Sequence, residues 1–115
     1  MDEHQRSLID QAWQRRIEQT GAAFIGYFRG CDREEARTYA ESAPERERRD
    51  LALAAVKGDR QRQEDEIWST FRAAMRPHLA ALQDRLGPLR AERMRETQRA
   101  WSDFEAARLL VIQSD

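Results

Sequence analysis

Apolar residues recur every three or four positions along almost the whole of this chain, and alternating or β-branched runs are nearly absent. That spacing gathers apolar side chains on one side of a helix and supplies no face for a sheet, so the predicted fold class is all-α. The strongest stretch lies near the C-terminus, where Met94, Thr97, Trp101, Phe104 and Val111 follow at spacings of three, four, three and seven residues. A Met, a Trp and a Phe then share one helix face, which must be buried against other helices.

The same period divides the chain into predicted segments. From about Glu3 to Arg29 it holds Ile9, Trp13, Ile17, Phe24 and Phe28, while Gly21 and Gly26 weaken the middle and leave room for a second backbone. Gly30 is placed to end this helix. Asp32 followed by Glu35 has the form of an N-cap with its returning acid, opening a short helix with Ala36, Tyr39 and Ala40 inward. Ser42, Ala43, Pro44 and Glu45 repeat the start signal and lead to Leu51, Leu53, Ala54 and Val56, before Gly58 and Asp59 break or interrupt the segment. From about Gln61 to Arg85, Ile67, Trp68, Phe71, Met75, Leu79 and Leu82 form one stripe that Pro77 should kink or split. Gly87 and Pro88 make the clearest boundary, and a last helix runs on to about Gln113. Two long helices joined by so short a turn should lie antiparallel, with the N-terminal helix over their seam. The expectation is a single helical domain, 1–115, built as a small bundle of three principal helices with one or two short helices.

At 115 residues the chain is large enough for one core, with little surplus stability. Its 20 Lys and Arg nearly cancel 21 Asp and Glu, which argues for helix faces laced with ion pairs and against a generic polyanion binder. Lys57 is the only lysine; arginine suits bidentate interface contacts, although genomic base composition produces the same bias. Cys31 is alone, so no intrachain disulfide forms, which favours a reducing compartment or a core sufficient without staples. The start, Met1 to Arg6, lacks the basic opening and apolar stretch of a secretory signal, and the longest apolar run, Leu109 to Ile112, is far too short for a membrane span. The expected location is cytoplasmic as written, or periplasmic where an export signal has been removed.

Chemistry is sparse. His4 and His78 belong to no two-histidine metal spacing, no glycine-rich loop precedes a helix, and no nucleophile stands beside a base, so catalytic residues, metal ligands and cofactors are all expected to be absent. Cys31 reads as a small, partly buried residue. Glu64, Asp65 and Glu66 suit the first turn of a helix, where negative charge is favoured, better than a cation site. Val56 to Arg60 offers a weak hint of a DNA-binding turn, but the helix after it opens with acids, so nucleic acid is not the expected partner. Trp13, Trp68 and Trp101 lie on the apolar stripes of different helices and are expected to form a shared aromatic centre. The alternative is one tryptophan exposed as a binding anchor, with Trp68 the best placed because Ile67 and Phe71 already fill the buried line beside it.

Met94, Gln98, Arg99, Ala100, Trp101 and Phe104 resemble the final helix of the LprI-like family, small helical proteins of the bacterial envelope named for a lysozyme inhibitor; Glu64, Ile67, Trp68 and Phe71 stand at the places of its earlier motif. The similarity spans roughly Gln61 to Leu109. It departs from the family at Trp68, where an asparagine is usual, and at Glu105 and Leu109, where an arginine and a disulfide cysteine are usual. The resemblance implies a non-enzymatic protein-binding module, an inhibitor of a lysozyme-like hydrolase. Because lysozymes are basic, Glu45, Glu47, Glu64, Asp65 and Glu66, with Trp68, are the candidate partner-binding residues. The alternative is a structural or assembly protein forming a homo-oligomer through an exposed helix face, for which Leu51, Leu53, Val56, Leu109, Leu110 and Ile112 supply surplus apolar surface.

Overall fold

A computed structural model describes residues 1–114, and among them the protein is all-α, with three helices and no strand. Helix α1 spans Glu3–Glu41, α2 spans Ala43–Ala54 and α3 spans Arg60–Gln113. The all-helical class is therefore as expected, while the partition of the chain differs in two helices. Gly30 does not end the first helix, and neither Pro77 nor the Gly87 and Pro88 pair interrupts the last one.

Tertiary contact explains the first difference. Gly30 is buried, and a Cβ built on it would lie 3.0 Å from both methyl carbons of Leu89. The glycine is thus a point of close approach between α1 and α3, and this packing offsets its poor helix propensity. Gly21 and Gly26, where such an approach was expected, have nothing within 4 Å of that position. The second difference follows from which side of α3 the prolines occupy. Pro77 and Pro88 are both exposed, and their spacing of eleven residues puts them on one outward side of the helix. The carbonyls they leave without a partner face water, where the loss is smallest, and the inward stripe is unbroken.

Local signals set the true ends. Asp2 Oδ1 accepts the Gln5 amide and Gln5 Oε1 accepts the Asp2 amide, both at 2.8 Å, a reciprocal capping box at the start of α1. Ser42 separates α1 from α2 as its position suggested, but its hydroxyl does not cap α2. Fully buried, it donates to the Tyr39 carbonyl at 3.2 Å and accepts from Arg46 Nη1 at 2.7 Å, which fixes the corner. Gly58 takes a φ of +79°, and this left-handed residue ends the connection from α2 before α3 begins.

The chain forms two compact units, Met1–Gly30 with Pro88–Asp115, and Cys31–Gly87. In the first, α1 and α3 run antiparallel: Gln5 Nε2 donates to the Val111 carbonyl at 3.4 Å, Trp13 meets Phe104 edge-on at 5.2 Å, and Gly30 meets Leu89. In the second, Arg85 ties α3 to α1, donating from Nε to Glu34 at 2.7 Å and from Nη2 to the buried Thr38 hydroxyl at 2.6 Å. There α2 lies along α3, with Arg49 over the rings of Trp68 and Phe71 and His78 beside Glu45.

The inward positions of the long helices repeat every eleven residues. On α3, Ile67, His78, Leu89, Ala100 and Val111 are all buried or half-buried at this interval; on α1 so are Gln5, Arg16, Tyr27 and Thr38. Eleven residues make three turns of about 3.67 residues, close to the natural helix, so a stripe with this period stays inward along a long helix without a left-handed supercoil. Several members are polar, which hides the repeat from a reading based on hydropathy.

Candidate functional site

The unit formed by Met1–Gly30 and Pro88–Asp115 carries a second stripe on each helix. On α1, Trp13, Ile17, Phe24 and Phe28 stand one position after the inward Ala12, Arg16, Ala23 and Tyr27; on α3, Trp101 and Ile112 stand one position after Ala100 and Val111. One position is about 100° around a helix. Because the two helices run in opposite directions, both displaced stripes turn to the same side of the pair. Arg16 confirms it, with its guanidinium carbon 4.7 Å from the ring centres of both Trp13 and Trp101.

This side is apolar and open to water. Trp13, Ile17, Phe24, Phe28, Met94 and Trp101 are 39–57% exposed, whereas the buried apolar residues of the same unit are Ala12, Ala23, Ala100 and Phe104. Three of those four are alanines, so the pair of helices buries less bulk than it displays. The opposite side is polar and small: Gln19, Ala22 and Gly26 of α1 meet Glu96, Arg99 and Asp103 of α3 around a shallow groove.

The expected aromatic centre of three tryptophans is not formed. Trp13, Trp68 and Trp101 are 42%, 39% and 46% exposed, and Trp68 belongs to the other unit. The physical reason is the one-position offset: the inward line on α3 is taken by Ile67 and Ala100, which sets Trp68 and Trp101 beside it. Phe104 is the buried aromatic, contacting Trp13 and Trp101 at 5.2 and 5.8 Å.

The candidate acids lie in the Cys31–Gly87 unit and do not make one surface. Glu45 is mostly buried, with Oε2 3.3 Å from His78 Nε2, close enough for an ion pair but without hydrogen-bond alignment. Its own backbone amide, then His78, hold its carboxyl below the usual carboxylate range against the opposing effect of burial. Glu64 pairs with Arg60 at 3.1 Å. Glu47, Asp65 and Glu66 are exposed. Glu45 and Glu66 share a cleft of about 490 Å³ between α2 and α3 with Arg48 and Arg49, over Ile67 and Phe71, so its charge is mixed. Trp68 packs edge-on against Phe71 at 5.8 Å with Arg49 above it. His78 is half-buried; its link to Glu45 has no sequence signal because the partners are 33 residues apart.

Cys31 is half-buried and free. Among the described residues no group of three or more His, Cys, Asp or Glu is placed to hold a metal ion, and no helix is long and apolar enough to cross a membrane. In comparisons with known proteins, no family model, no curated sequence and no solved structure matches this chain.

Proposed function

We propose that this protein is a non-enzymatic helical binding module that works by assembling with a copy of itself. The observation that carries this reading is the exposed apolar side of the first unit, where six large side chains from two helices line one surface. Contiguous apolar surface of this extent is costly on a free monomer and is the usual mark of a protein contact. The mixed, nearly neutral charge of the chain leaves little long-range repulsion between copies. Light scattering after size exclusion at tens of micromolar tests it: the expected mass is twice the 13.5 kDa of the chain, and a mass of one chain would reject self-assembly.

A second reading rests on the other unit, where Trp68 is exposed near Glu66 and Asp65. This is the inhibitor that the LprI-like resemblance implies, with acids and a tryptophan offered to a basic hydrolase. Reversing Glu64 and Glu66 to lysine should then abolish capture of a lysozyme, and unchanged capture would remove that face. The pairing of Arg60 with Glu64 and of Arg62 with Asp59 weighs against a DNA-reading turn at Gly58.

A further inference from the structure

The geometry points to a specific twofold interface, in which α1 of one copy crosses α1 of a second copy, antiparallel, at Gly21. This rests on the self-assembly reading and goes beyond it by fixing the face, the direction and the centre.

Gly21 lies on the exposed apolar stripe, between Ile17 and Phe24, and no atom of its own chain comes within 4 Å of a Cβ built there. Its φ is not in the left-handed region, so nothing within one chain calls for a glycine at this helix-interior position. The open space there admits a close approach from outside. The stripe is also nearly symmetric about this residue: Ile17 and Phe24 stand four before and three after, Trp13 and Phe28 eight before and seven after. A twofold axis at Gly21 therefore brings Trp13 to Phe28 of the partner subunit, and Ile17 to Phe24 of the partner subunit, each contact occurring twice. Such self-complementarity is what a twofold interface demands.

The α3 stripe on the same side obeys the same operation. Arg90, Met94, Gln98, Trp101 and Glu105 run along it, and antiparallel superposition sets Met94 on Trp101 of the partner subunit and Arg90 on Glu105 of the partner subunit. Opposite charges thus meet at both ends, where Glu105 would be shared between Arg108 of its own chain and Arg90 of the partner subunit, and the rings between carry Arg16 and Arg93 over their faces. Six side chains about half exposed offer on the order of 600 Å² per copy, which with a polar rim approaches the roughly 800 Å² per partner of a standard stable interface.

Three experiments distinguish this interface from self-assembly in general. In sedimentation equilibrium, an Ile17→Glu, Phe24→Glu chain should dissociate about a hundredfold more readily than the parent while keeping its helical circular dichroism. An Arg90→Glu chain should be weakened and an Arg90→Glu, Glu105→Arg chain restored. On a Cys31→Ser background, an Ile17→Cys chain mixed with a Phe24→Cys chain should be joined to it by a short thiol cross-linker, and Ala22→Cys, on the opposite side of the helix pair, should not be joined to itself. A monomeric parent would sink self-assembly itself. A dimeric parent whose affinity survives the two glutamates, or which cross-links through residue 22 and not between residues 17 and 24, would sink this interface alone.

Discussion

At the scale of single residues, the glycines of α1 show that one residue type carries opposite energetic signs depending on its neighbours. Gly26 sits in a helix interior with open space where a Cβ would be, so Gly26→Ala should raise stability by about 0.5 to 1 kcal/mol in urea unfolding. Gly30 is pressed against Leu89, and Gly30→Val, which adds branches where the first carbon is already 3.0 Å from two methyls, should lower stability by about 1 to 3 kcal/mol. Equal responses at the two positions would contradict the close approach. Sequence spacing alone ranked these glycines the other way, because a helix stop and a helix-helix contact use the same residue and only the opposing Leu89 tells them apart.

At the scale of the element, α3 continues past Pro77, Gly87 and Pro88 because the buried line at Leu82, Leu86, Leu89 and Arg93 is never broken. The prolines are tolerated and not required. Pro88→Ala should therefore stabilise the helix, by up to about 3 kcal/mol in thermal or urea unfolding; a loss of stability would show that a bend at Pro88 is needed. Helix α2 is held differently, by Arg49 on two rings and by the Glu45 and His78 contact. Since the folded-state pKa of Glu45 is lowered, its contribution is complete above the ordinary carboxylate range and is lost as pH falls through the lowered value. The protection factors of the α2 amides, taken against the intrinsic exchange rate at each pH, should fall on acidification through that window, and Glu45→Gln should flatten this dependence. An unchanged acid profile in that variant would assign α2's attachment to its arginine and apolar contacts.

For the whole molecule, the imbalance between a thin interior and a broad apolar exterior has a thermodynamic consequence. The buried apolar residues are Ala12, Ala23, Leu86, Ala100 and Phe104, while six large side chains of one face remain in water. A dimer that covers them is stabilised by mass action, so its melting temperature should climb by about 3 °C for each tenfold rise in concentration. A melting temperature independent of concentration would mean that the exposed side is not used for self-association. The same imbalance accounts for the exposed tryptophans: bulk and aromaticity argue for burial, yet they do not distinguish burial within one chain from burial between two.

Residue order is enough to make the chain helical, to place breaks at Ser42 and Gly58, and to run an apolar stripe through Trp101. These follow from local rules of period, capping and left-handed glycine, which need no knowledge of distant residues. Long-range packing is what carries α1 and α3 on through Gly30, Pro77 and Pro88, puts small or polar residues on the inward line, and turns Trp13 and Trp101 to one open side. Helix continuity at a weak position is a competition between local propensity and packing from the far end of the chain. The packing wins here because Leu89 closes on Gly30 and the prolines face water, and neither condition is written within one turn of the residue concerned.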